Sequence, residues 1–143
     1  MIPYYINEAM LQLPKVARLH DMTRQFLEVV TEDGAELDLV IARVQATPGQ
    51  NLRAAVEADL ADRRRSLRGF ELLSIEQRER AGLPGVEVRL RFVDKGRGPL
   101  FHHEFHSIVD GQRIGFHGIS KGEHAAACDA WMVQMLESLR LRR

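Results

Sequence analysis

His102, Glu104 and His106 stand at alternate positions of LFHHEFHSIV, and His117 lies in the following stretch, QRIGFHGIS. Imidazole can ligate a divalent metal or carry protons near neutral pH, and a carboxylate beside it can share the metal or orient the ring. Whether these side chains meet depends on the elements that carry them. Residues 100–120 read as two strands joined by Asp110-Gly111, a pair that suits the positive φ angles of a type I′ turn. If Val109 faces Gln112, counting back sets Phe105 opposite Phe116, Glu104 opposite His117, and His106 opposite Gly115. Side chains alternate along a strand, so one face carries Phe101, His103, Phe105, Val109, Ile114 and Phe116. The other carries His102, Glu104, His106, Ile108, Arg113, His117 and Ile119. The first face is expected to be core. The second gathers His102, His106 and His117 around one carboxylate, and any function in this hairpin is expected there.

Strand geometry limits the metal reading. His102 and His106 are roughly 13 Å apart along a strand and each about 7 Å from Glu104, so one ion would need His117 and Glu104 with one of the other two. Histidine and glutamate are also ordinary residues on a wet strand face, and that reading is favoured. A small metal-dependent enzyme or metal-binding protein using His102, Glu104, His106 and His117 is kept as the alternative. Nucleophilic chemistry has less support: Cys128 falls within an apolar helical pattern, and the chain has no Gly-x-Ser-x-Gly elbow, phosphate-cradling glycine loop or Cys-x-x-Cys pair. No cofactor, no metal and no catalytic residue is expected.

The whole chain, residues 1–143, is read as one domain large enough to bury a core. Its 20 basic and 20 acidic residues balance, leaving no overall field to attract nucleic acid or anionic lipid. Arg63-Arg64-Arg65 is the only basic run and reads as a solvated helix face rather than a phosphate site. A lone cysteine excludes an intrachain disulfide. The opening residues lack the pattern of a signal peptide, and no window approaches the roughly 20 apolar residues of a membrane span, so a cytoplasmic protein without a membrane anchor is expected.

In chain order, Tyr4–Leu13 alternates as a first strand closed by Pro14, and 15–23 reads as a loop. Arg24–Val30 is the second strand and Glu36–Val44 the third, with Leu37, Leu39 and Ile41 on a bulky side and Asp38, Val40 and Ala42 on a shallower one. A strand apolar on both faces is usually covered twice, which raises the question of a second covering. A helix over 51–67 has Leu52, Ala55, Val56, Leu60 and Leu67 at helical spacing. Strands over 70–77 and 86–92 follow, separated by a turn at 82–85, and the second of them reads as half buried and half wet. A helix over 123–139 closes the chain, with Cys128, Trp131, Met132, Met135, Leu136 and Leu139 on its apolar side. The expectation is α+β: an antiparallel sheet of about six to seven strands, with two main helices on one face and the other face partly open.

Several stretches in succession, YYINEAMLQLP, the Asp21 and Thr23 entry to a strand, LDLVIAR before a Pro-Gly turn and helix, LRGFELL, and HHE ahead of the Trp131 helix, resemble the DcrB-related, PsbP-like family. Within it the chain is most similar to the effector-associated chaperones of bacterial type VI secretion. That resemblance implies a PsbP-like fold and a cytoplasmic, usually dimeric adaptor that shields the N-terminal transmembrane helices of a toxin effector before export. With the shallow sheet face as the groove, client-helix binding is expected at Phe26, Val40 and Ala42, with His102, Glu104, His106 and His117 on its polar side. Relatives commonly carry glutamines where this chain has His102 and Glu104, and a covered Glu104 would have to be paired or protonated.

Overall fold

A computed structural model describes residues 24–46, 49 and 51–141. The expected strand at Tyr4–Leu13 and the loop after it lie outside the described residues. Six strands form one sheet: β1 Arg24–Val30, β2 Glu36–Gln45, β3 Glu71–Arg80, β4 Leu83–Asp94, β5 Gly98–Val109 and β6 Gln112–Lys121. Their spatial order is β1-β2-β6-β5-β4-β3, and every neighbouring pair is antiparallel. Helix α1 spans Leu52–Ser66 between β2 and β3, and a 3-10 turn leads from β6 into α2, Ala125–Glu137.

The hairpin register is the one counted from the turn. Glu104 pairs with His117, Phe105 with Phe116, and His106 with Gly115. Asp110 and Gly111 both take positive φ, 51° and 75°, as a type I′ turn requires. The turn expected over 82–85 is shorter. Ala81 and Gly82 make it at positive φ, and Pro84 and Gly85 already belong to β4.

The helices lie on opposite faces of the sheet, which corrects the expectation that both share one. Successive antiparallel pairings leave β2 and β3 running the same way with three strands between them, so α1 is a crossover that must traverse one face. It packs Val56 and Leu60 on Val86, Val88, Leu90 and Phe92. Asn51 caps its start by accepting from the Ala54 N–H at 3.2 Å, and the basic residues of its last turn suit the negative end of the helix dipole. On the other face α2 packs Cys128, Met132 and Leu136 on Leu37, Leu39, Ile41, Phe101, Phe105 and Phe116. These residues of α2 recur every four positions, and together they bury its apolar side. The bulky side expected for β2 is therefore its covered side.

Candidate functional site

Glu104 is fully buried, beneath α1. Its flanking residues on β5, His102 and His106, turn their rings inward onto it: His102 Nδ1 is 3.2 Å from Oε2 and His106 Nε2 is 3.0 Å from Oε1. His117, directly across the ladder, brings Nδ1 to 3.4 Å from Oε2. From above, Arg63 donates two parallel bonds, Nη1 to Oε2 at 2.5 Å and Nη2 to Oε1 at 2.9 Å. This corrects the solvated reading of the arginine run for one of its three members. Arg65 does face solvent and pairs with Asp62, whereas Arg63 turns toward the sheet.

Burial alone would raise the Glu104 carboxyl. The Arg63 bond, the charge of His117 and the bonds from His102 and His106 outweigh that cost and hold it well below the usual carboxylate range. The His106 imidazole is lowered as well, here because burial outweighs the carboxylate, with His117 and Arg113 adding to the effect. A neutral ring fits its neighbours, with Nε2–H donating to Glu104 and Nδ1 placed 3.4 Å from the Arg113 guanidinium. Arg113 is in turn held by Asp59 of α1 at 2.6 Å.

One potential ligand atom from each of Glu104, His106 and His117 falls within 4.8 Å of the others, a donor set of the kind zinc accepts. The carboxylate does not fit that role. Both of its oxygens face the Arg63 fork, and a cation placed among these residues would meet a guanidinium in a buried site. The cluster is built as a hydrogen-bonded ion pair that pins α1 to the sheet.

A second buried carboxylate lies on the opposite face, where sequence reading placed a wet side of β4. Glu87 is fully buried under α2 and takes two bonds from Arg80, at 2.8 and 2.9 Å, while Arg80 also reaches Glu137 of α2 at 2.7 Å. Arg89 bonds Asp129 of α2 at 2.6 Å. His103 sits between Asp129, 2.9 Å away, and Glu87, 3.5 Å away, yet neither ring nitrogen is aligned for a hydrogen bond. Burial would raise the Glu87 carboxyl, but His103 and Arg80 outweigh it and hold the group far below its ordinary value. Cys128 is a core residue as expected, its thiol pushed up to about 11 by burial.

The remaining candidates lie where α1 does not reach. Phe26 pairs with Val40, and Val40 with His117, so Phe26, Val40, His117 and Glu104 form one cross-strand row from the open edge of the sheet to the buried cluster. Ala42 pairs with Gly115 in the next row. Phe26 is 61% exposed and with Val40 lies on an apolar strip of β1, β2 and β6 beside α1, and Glu28 separates it from Val30, 68% exposed, on the same face. Only part of the candidate set is therefore on this surface. Phe26, Val40, Ala42 and His117 line the strip, whereas Glu104 and His106 are beneath α1 and His102 is nearly so. A depression of about 470 Å³ lies elsewhere, near the start of α1, lined by Asn51, Arg53, Arg78 and Ile108 among others, and contains none of the candidates.

Sequence reading missed Arg63, Arg80, Glu87 and Asp129 as members of these networks. Charged residues at inward positions, Glu87 on β4 and Glu104 on β5, were the available signal, because such residues must be paired.

No protein-family model matches the chain, and no curated protein matches it. Solved structures do. A Pseudomonas aeruginosa protein of unknown function superposes with a TM-score of 0.80 at 18% identity, covering 98% of this chain and 96% of that one. The cyanobacterial PsbP of Synechocystis aligns at 0.54 and 12% identity, over 90% of this chain and 96% of its own. The fold is PsbP-like. Mycobacterium tuberculosis LpqN, involved in cell envelope biogenesis, aligns at 0.51 and 9% identity, over 84% and 80% of the two chains. At these identities the PsbP-like likeness is one of architecture. Among the described residues no helix is long and apolar enough to cross a membrane.

Proposed function

We propose that this protein is a non-enzymatic adaptor that binds and shields apolar helices, and that its clients are the N-terminal transmembrane helices of a type VI secretion effector held in the cytoplasm before export. The observation that carries the reading is the strip on β1, β2 and β6 that neither helix of the described residues covers. These three strands span about 10 Å between outer axes, close to the width of one helix, and the seven residues of β1 run about 24 Å, enough to seat most of a helix of about 20 residues. A client helix would lie beside α1 and complete the layer that α1 begins. Phe26, Val40 and Ala42 supply apolar contact, and His117 supplies a polar edge. The pairing of Glu104 with Arg63 supports this assignment, since it leaves no free buried charge next to the client. The resemblance to effector-associated chaperones supplies the client class. A homodimer is part of the proposal, because α1 and α2, the two main helices of the described residues, leave the β1 edge of the sheet exposed.

The test contrasts two neighbours on β2. Val40→Asp puts a carboxylate against the bound helix at a cost of several kcal/mol, lowering affinity by orders of magnitude, yet in the empty protein it borders solvent. Leu39→Asp buries the charge beneath α2, where Leu39 is 4% exposed, and should unfold the protein. Thermal melts and co-purification of a hydrophobic effector segment read the two effects. A Val40→Asp protein that folds and still retains the segment would refute the site.

A further inference from the structure

The two faces of the sheet answer a proton differently. Beneath α1 the carboxylates of Glu104 and Asp59 are matched by Arg63 and Arg113, so the cluster is neutral while His102, His106 and His117 carry no charge. From β4 and β2 these rings meet apolar side chains, Val86, Leu90 and Val40, and the nearest further charge, Asp38 one row on, is faced by Arg97 at 3.6 Å. Each proton gained here is an uncompensated positive charge in a covered site. His102 Nδ1, His106 Nε2 and His117 Nδ1 all approach the carboxylate that Arg63 holds, so imidazolium and guanidinium would compete for one negative charge. Burial already disfavours the charged form of His106. Of these cations only Arg63 rides on α1, and lifting that helix returns it to water.

On the α2 face the count is reversed. Glu76, Glu87, Asp129 and Glu137 stand against Arg78, Arg80 and Arg89, one carboxylate in excess, and His103 lies between Glu87 and Asp129. A proton on His103 would neutralise that network. We propose that the cluster under α1 is an acid-sensitive latch, in which protons taken up by His102, His106 and His117 make Arg63 the surplus cation beside Glu104 and release α1 while α2 stays seated. Release bares Val86, Val88 and Leu90, which α1 now buries. The latch stands on the charges around Glu104 and does not depend on what binds the strip.

Amide hydrogen exchange of the full chain, at about pH 7.5 and about pH 5 and corrected for the intrinsic pH dependence of exchange, tests it helix by helix. Relative to Met132 and Leu136 of α2, Val56 and Leu60 of α1 should lose about tenfold in protection at the lower pH, the effect of one proton held tenfold less tightly by the docked state than by the open one. His102→Gln/His117→Gln, at the two partly exposed positions, keeps amide donors beside Glu104 and should remove most of the loss, whereas His103→Gln should leave it in place. Protection of α1 that does not change with pH would overturn the latch, as would an equal loss in both helices. A full loss that persists in the folded double variant would overturn the assignment to these histidines; should that variant not fold, the comparison of the two helices in the unmodified protein and in His103→Gln still decides.

Discussion

Replacing Arg63 with methionine keeps most of the side-chain volume and removes the guanidinium that holds Glu104. Breaking a buried ion pair by deleting one partner costs about 3–5 kcal/mol, because the other charge stays buried. The low end applies: Arg63 is a quarter exposed, so water can enter where the guanidinium was, and three histidines remain near the carboxylate. A loss of about 3 kcal/mol, or about 10 °C in melting temperature, leaves a protein of ordinary stability folded. The pH dependence separates this mechanism from lost packing. In the unmodified protein the Glu104 carboxyl titrates below its unfolded value, so its contribution is present above that value and is lost as pH falls through the depressed one. In Arg63→Met the burial that raises the Glu104 carboxyl loses the largest interaction opposing it, so the carboxyl is expected to hold its proton to higher pH than in the unfolded chain. The native state then binds more protons than the unfolded chain, and stability falls as pH rises beyond the carboxylate range. Adding Glu104→Gln should recover most of the loss and flatten the profile. Chemical denaturation of the three proteins from about pH 5 to pH 8 measures both quantities. A single variant that loses under about 0.5 kcal/mol and keeps the original slope would refute the pairing as the anchor of α1.

Gly118→Ala should lower stability by about 1–3 kcal/mol, because a Cβ there would come 2.5 Å from Met132 Cγ and force α2 off the sheet. An unchanged melt would show that α2 yields freely. Zinc added to the purified protein should leave the melting temperature unchanged and bind below unit stoichiometry, since Arg63 occupies both oxygens of Glu104. In Arg63→Met the same titration can reveal binding by Glu104, His106 and His117, and unit zinc in the unmodified protein would restore the metal reading. Sedimentation at micromolar concentration should give twice the 16.3 kDa chain mass, and a monomer alone would remove the dimer from the proposal.

Much of the sheet was legible because its signals are local. The Asp110-Gly111 turn fixes the register of β5 on β6, and period-2 alternation then sets Glu104 opposite His117 and keeps Leu39 and Val40 on different faces. The cluster of His102, His106 and His117 around Glu104 follows from the same count. Its closure did not follow, because Arg63 is 41 residues from Glu104 and nothing in Arg63-Arg64-Arg65 marks which side chain turns inward. That choice belongs to the angle at which α1 crosses the sheet. The same holds for the helices. Periodicity gives each one an apolar side, but only the crossover from β2 to β3 puts α1 on the face that carries Glu104 and leaves α2 for the other. Glu87 and Arg89 read as solvent-facing along β4 because alternation reports two faces without saying which is covered, and α2 covers this one with Asp129 and Glu137 as partners. The sequence by itself determined the alternation, the turn and the composition of each face. The tertiary structure decided which faces are covered, because coverage depends on contacts between elements distant in the chain.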